Sequence, residues 1–377
     1  MVAPKGRGAF AEQVREALLT MSSLLNHQLA PMFVTIQTVF LAHEEDEEEC
    51  RRLFEEHYRD HVPATNYVIQ PPCCGAALAV EAWAVGGTAK VEFHGEHLVT
   101  VSYDGLKWIH CAGIRPSGTA GSAFEQSAEV FDRMQERLLS VGSKFDEVAR
   151  VWIYFGGITA DEAGSERYRE LNRARTEFFG KLSFGGRLAL SGYEGDFYPA
   201  STGIGTLGRG LTTSCLALQT ERDDVRLLPL ENPLQTPSFC YGKEYSLKSP
   251  KFSRAMAVVL GNYVTTWISG TASIVDSETV HVGDVTKQTE QTIENIERLI
   301  SAENFARQGL PGAGAGLRDL AKVRVYIKHA GDYDKVRAVC ERRCAGLPTI
   351  YAVADVCRPD LLVEIEGVAF SRMNGKP

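Results

Sequence analysis

The sequence has no apolar run long enough to cross a membrane, about 18 residues, and its basic opening from Met1 to Gly8 leads into no apolar signal core. A soluble cytoplasmic protein with no membrane partner is therefore expected. Positive charge is scarce as well: 40 Lys and Arg stand against 48 Asp and Glu, giving a formal net charge of −8. Nucleic acid would meet no broad attraction and is not expected as a partner, although a local basic pocket can still hold a small anion. The cysteines at 50, 73, 74, 111, 215, 240, 340, 344 and 357 lack the dense, even framework of a small secreted domain. Reduced packing thiols are expected. Cys340 and Cys344 lie one helical turn apart, but His329 is not spaced to complete a zinc cage, so no metal site is expected. A Walker lysine and a full dinucleotide fingerprint are also missing, which weakens any phosphate-loop or Rossmann reading.

What is present is a chain of 377 residues with 44% hydrophobic residues, enough for about two or three packed cores. Its organisation shows in repetition. Residues 124–141 carry Val130, Met134 and Leu138 at helical spacing and pass into an apolar strand ending at Phe155. Residues 285–300 and 317–327 repeat that order, and strands over 106–113 and 265–272 precede the two helices. An incomplete earlier copy runs from a helix over 12–25 to a strand over 33–41, a helix over 47–58 and a strand over 78–85. Its late counterpart is 333–343 followed by 361–368. The pattern predicts an α+β fold of tandem units, each a mixed sheet covered by helices on one face. The Gly- and Pro-containing gap 301–316 reads as a surface insertion, and the acidic run 44–49 as the solvated first turns of a helix.

Four segments could carry chemistry. Arg167, Arg169, Arg173 and Arg175 fall on one helix; with Glu166 and Glu170 nearby, that helix reads either as a solvated face or as a carboxylate clamp. Between Phe197 and Gly205, Tyr198, Ser201 and Thr202 surround a tight backbone path that can be a plain turn or can offer donors to oxygen atoms. Arg254 follows Ser249 to Ser253 and enters an apolar strand that can hold its base firmly, so it reads either as an anion contact or as a partner in surface salt pairing. Glu364 sits between apolar residues on a strand, with Glu366 on the same face, where burial or like charge favours protonation of one carboxyl. The alternative is that both meet arginines or solvent. His281 lacks partners for a triad, and Cys357 reads as a pocket wall.

The ending from Tyr351 to Asp355 and from Val363 to Gly367 resembles the YjgF/Rid superfamily. The segments 167–172, 198–205, 249–254, 268–275 and 355–358 resemble, more closely, chorismatases of the 3-hydroxybenzoate synthase-like kind. The resemblance covers roughly residues 105 to 370. It implies a pseudo-trimeric arrangement of Rid-like units: 1–92 incomplete and structural, 93–235 central with a substrate-binding insertion, and 236–377 catalytic. A monomer or weak dimer is then expected.

The resemblance further implies chorismate as the small carboxylated substrate, no cofactor, and Glu364 as proton donor. Arg254 with one or more of Arg167, Arg169 and Arg175 would anchor carboxylates. Gly270 and Cys357 resemble the pair found in the branch that makes 3-hydroxybenzoate. Thr349 stands where the Rid deaminases carry arginine, which disfavours enamine or imine deamination, and Ala79 occupies the glutamate's position in the first copy. Hydrolysis of chorismate to a dihydrodiol, or capture of a carboxylated metabolite without turnover, are the competing readings.

Overall fold

Repetition in the sequence becomes three main β-sheets with helices on their outer faces, beside two small two-stranded ribbons, in a computed structural model that describes residues 1–118, 121–242 and 248–373. The first sheet orders its strands Ala64–Ile69, Met32–Leu41 and Leu78–Gly86. The second has six: Ala200–Ile204, Val148–Phe155, Leu211–Thr220, Leu106–Ile114, Leu98–Tyr103 and Lys90–Phe93. The third runs Val225–Leu230, Ala255–Leu260, Tyr263–Ala272, Val363–Arg372, Leu320–Ile327 and Thr349–Val353. Each sheet contains one parallel pair among antiparallel ones, and in each pair a helix lies between the two strands in sequence, the crossover a parallel connection needs.

The helices form where apolar residues recur at helical spacing and a cap starts them. Ala123–Leu139 begins after Ser122, whose hydroxyl accepts from the Glu125 amide while the Glu125 carboxylate returns to the Ser122 amide. Val285–Ile300 begins after Asp284, which accepts from the Lys287 amide. Their apolar stripes pack outward faces of the second and third sheets: Val130, Phe131 and Met134 on one, Ile293, Ile296 and Ile300 on the other. The acidic run makes a single 3-10 turn, Glu44–Asp46, before the helix Glu47–Tyr58.

One expectation fails. The stretch 301–316 is no surface insertion, because Ala302–Arg307 is a helix and Phe305, Leu310 and Ala313 are buried in the third sheet's core. Its Gly and Pro residues disguised three apolar anchors spaced along an irregular path.

The inner faces of the three sheets share a core. Each contributes a tryptophan: the ring centroids of Trp83 and Trp267 lie 5.1 Å apart, and those of Trp152 and Trp267 6.1 Å. Backbone bonds also tie sheet to sheet. Leu207 N donates to Ile69 O at 2.9 Å, Gly205 N to Asp355 O at 2.8 Å, and Val353 N to Pro71 O at 2.8 Å. A side chain at Gly205 would strike that same Asp355 carbonyl, so glycine is required for the approach.

Phe305 offers a direct check on the corrected segment. Phe305→Ala is expected to destabilise the fold by about 3–5 kcal/mol, as deletion of a buried aromatic ring does, measured as a fall in denaturant midpoint. A loss below about 1 kcal/mol, the range of surface substitutions, would restore the insertion reading.

Candidate active site

Alternation along Val363–Arg372 turns Val363 and Ile365 into the helix-covered core and Glu364 and Glu366 onto the inner face. Both glutamates are buried, at 4% and 1% exposure, and two such neighbours cannot both ionise cheaply. The surroundings decide between them. Glu366 accepts from Arg150 Nη2 at 2.6 Å, from Trp152 Nε1 at 3.0 Å and from the Thr202 hydroxyl, and it forms an ion pair with Arg324 Nη1 at 3.1 Å. Burial alone would raise its proton affinity, but Arg324, Arg150 and Lys322 outweigh burial and hold Glu366 ionised. For Glu364 the balance is reversed: burial first, then the charge of Glu366, push its carboxyl up to about 8 against the pull of Arg150 and Arg254. At neutral pH Glu364 is a protonated acid.

Glu364 forms the floor of a cavity of about 480 Å³ between the second and third sheets. Four arginines line it, Arg175 and Arg254 buried in its walls, Arg358 half-buried and Arg169 exposed. Arg175, on the helix Arg167–Phe179, donates to Asn172 Oδ1 at 2.5 Å; Arg254 donates to the Tyr241 hydroxyl at 2.5 Å and the Thr236 carbonyl at 3.2 Å. Both guanidinium carbons lie 5.5 Å from the centre of the Phe252 ring. Each is buried with its Nε unbonded, and neither makes an ion pair with a carboxylate among the described residues. Glu231 lies beside Arg254, accepting from its backbone amide at 3.3 Å and acting on its charge without a salt bridge. Among the described residues no carboxylate plays that part for Arg175, and a buried cation so placed favours an arriving anion.

Gly270 lies where the strand Tyr263–Ala272 bulges against the Glu364 strand, between Ile268 and Thr271. A methyl group there would overlap Glu364 Oε1 and meet Thr202 Cγ2 at 3.1 Å. The space left by the missing side chain is therefore occupied by the glutamate's carboxyl, not only available to a ligand. Half-buried Cys357 also lines the cavity, and burial followed by the Glu364 charge pushes its thiol up to about 12. It faces the cavity as a neutral S–H, consistent with a wall.

The remaining predicted residues divide. Arg169 and Ser201 line the cavity, Arg169 exposed at its edge and Ser201 buried with its hydroxyl unbonded. Thr202 lies below the floor, donating to Glu366 and accepting from the Gly270 amide at 2.9 Å. Tyr198 is placed behind the wall, stacked with Phe179 and tilted against Phe239. Arg167 does not belong to the clamp: it is buried 4.5 Å from the centre of Phe155, paired with Glu162 and bonded to the Gly156 carbonyl at 3.1 Å. Its position at the start of the helix turns it away from the face that carries Arg175. Arg173 pairs with Glu170 outside the cavity at 2.8 Å, and His281 is exposed.

Sequence reading missed Arg150 and Arg324. Both stand among apolar residues on strands, in Val148-Ala149-Arg150-Val151-Trp152 and Val323-Arg324-Val325, with the same charged-inside-apolar signal that marked Glu364. Among the described residues no group of three or more His, Cys, Asp or Glu is arranged to hold a metal, and no helix is long and apolar enough to cross a membrane.

Comparison with known proteins places this geometry in a family. Residues 81–217 match the model for Chorismatase FkbO/Hyg5-like, N-terminal, and residues 247–371 the model for Endoribonuclease L-PSP. A 3-hydroxybenzoate synthase from Streptomyces hygroscopicus is 36% identical over 297 residues, spanning 76% of this chain and 80% of that protein. A chorismatase from Streptomyces rapamycinicus is 34% identical over 275 residues, 71% of this chain and 78% of that protein. A chorismatase crystal structure superposes with a TM-score of 0.70 at 25% identity, covering 89% of this chain and 93% of that one. By sequence and by fold, with two Rid-like α+β units in tandem, this chain belongs to the chorismatase family.

Proposed function

We propose that this enzyme converts chorismate to pyruvate and 3-hydroxybenzoate, with Glu364 as proton donor and without a cofactor. One observation carries the reading: two buried arginines without a carboxylate salt bridge among the described residues face a buried, protonated glutamate across one cavity. Chorismate has two carboxylates to match the arginines and an enolpyruvyl carbon to receive the proton. The relatives named above, a 3-hydroxybenzoate synthase and chorismatases, favour the same substrate. Arg254 acts electrostatically on Glu364, so it is assigned the enolpyruvyl carboxylate. Arg175, also facing Phe252, is assigned the ring carboxylate, with Arg169 at the edge.

Glu364 transfers its proton to the methylene carbon, leaving an oxocarbenium-like centre. The ring's hydroxyl oxygen then displaces pyruvate, the carbon–oxygen bond to the ring breaks, and the ring rearranges to the phenol. Loss of a ring proton to the Glu364 carboxylate completes the proton count. The atoms of the two products sum to those of the substrate, so no oxidant or added group is required. Cys357 and the Gly270 bulge shape the side of the cavity where water would otherwise attack.

The architecture we propose is a pseudo-trimer within one chain, with units 1–92, 93–235 and 236–377. The cyclic set of backbone bonds among the three sheets and the three clustered tryptophans support it. Internal closure favours a monomer or weak dimer in the cytoplasm.

Purified enzyme given chorismate should release pyruvate and 3-hydroxybenzoate. Folded protein that releases no pyruvate would sink the reading, and dihydrodiol alone would overturn the ring product. The rate kcat/KM should fall tenfold per pH unit above about 8, where Glu364 loses its proton. Glu364→Gln should lower pyruvate release roughly 10²–10⁴-fold. Because the folded-state pKa is raised, folding takes up a proton between the ordinary carboxylate range and about 8, and stability declines across that window. Glu364→Gln should therefore melt higher than the parent enzyme at pH 9, by an amount on the order of a few kcal/mol.

Arg175→Met should raise KM by roughly 10–100-fold, the value of a charge-assisted bond, yet leave the free protein as stable or more stable, because the cation it removes has no counter-ion. A lowered melting temperature with unchanged KM would reject Arg175 as an anchor. Gly270→Ala should reduce pyruvate release as well as alter products, since the added methyl displaces Glu364; full pyruvate release by this variant would show that the carboxyl has room elsewhere.

A further inference from the structure

Glu81 belongs to the first sheet, which reads from sequence as a structural unit because Ala79 stands at the glutamate position. Glu81 is 2% exposed and lies at the meeting point of all three sheets. Its Oε1 accepts from Lys322 Nζ at 2.7 Å and Arg324 Nη2 at 2.8 Å, and its Oε2 from Arg324 Nε at 2.7 Å. Trp83 Nε1 donates to Oε1 at 3.2 Å. The same Arg324 bonds Tyr154 Oη at 2.6 Å and pairs with Glu366 at 3.1 Å. A continuous buried chain of charges thus runs from Glu81 through Arg324 to Glu366, the nearest anion to the catalytic acid on its own strand.

We propose that Glu81 is a positioning residue that sets the proton affinity of Glu364 from the first sheet, through Arg324 and Glu366. The inference rests on the reading of Glu364 as proton donor. Glu81 neutralises charge that Arg324 and Lys322 would otherwise direct at Glu366 and Glu364, and it fixes the Arg324 fork in two bonds, a geometry lysine could not supply. Around Glu81 the charged and titratable groups are Lys322, Arg324, Tyr154 and the Met1 amino group. Around Glu366 they are Arg150, Arg324, Lys322, Tyr326, Tyr154 and Glu364, and around Glu364 they are Glu366, Arg150, Arg254, Cys357 and Tyr168. In that set the cations are fixed, so removing one anion or one cation shifts Glu364 in a direction set by sign alone.

The test titrates Glu364 directly, as the carbonyl stretch of its protonated carboxyl in difference infrared spectra against the matching Glu364→Gln protein, without substrate. Glu81→Gln should lower the midpoint by about one pH unit, the effect of a unit charge about 10 Å away at an effective dielectric near 20. Lys322→Met should raise it by a similar amount, and the double variant should return it close to the parent value. A role confined to packing predicts no opposed shifts. Should Glu81→Gln fail to fold, Lys322→Met decides alone, because an unmoved midpoint there overturns the relay. Unmoved midpoints in both variants overturn it as well. The basic limb of the pyruvate-release profile should follow the same shifts. If the chain releases no pyruvate, the proposed reaction fails while the infrared midpoints still decide the relay.

Discussion

Glu366 is a carboxylate kept ionised in the interior by Arg150 and Arg324, and the rest of the site is arranged around that charge. A buried ion group is favourable only when its bonds are nearly all made; here an indole, a hydroxyl and the Arg150 guanidinium make them, and the Arg324 guanidinium adds an ion pair. The fixed negative charge then does to Glu364 what no isolated apolar pocket would do as reliably. It adds like-charge repulsion to desolvation, so that one strand presents an anion and a neutral acid two residues apart.

The division of labour between the arginines follows the same rule. Arg150 and Arg324 make carboxylate salt bridges and are part of the protein's interior; Arg175 and Arg254 make none among the described residues and face the cavity. Partial satisfaction by Asn172, Tyr241 and a backbone carbonyl holds their forks in place without neutralising them. In the proposed reading an incoming dianion meets these two guanidinium groups, so charge would select the ligand along with shape.

Much of this was legible in the sequence. Helical periodicity gave the outer helices to within a few residues, and strand alternation put Glu364 and Glu366 on one face. What sequence could not give was which apolar-flanked charges meet. Glu81 and Arg324 are 243 residues apart, and Arg150 and Glu366 are 216 apart; local pattern carries no information about such pairings. Arg167 and Arg175 share a helix and a residue type, yet a single difference in facing assigns one to an internal pair with Glu162 and the other to the cavity. Phe305 was hidden for another reason, since an irregular path has no period to detect.

The clustered indoles of Trp83, Trp152 and Trp267 have an optical consequence. With one ring from each sheet and centroids 5.1 and 6.1 Å apart, their excited states couple pair by pair, and both couplings are present only while all three sheets are joined. The near-ultraviolet circular dichroism of the protein therefore carries a built-in signature of closure, separate from the far-ultraviolet signal of its helices. Loss of that signature ahead of helix melting would mark a state in which the sheets are intact but the acid, the arginines and the charge that governs them have come apart.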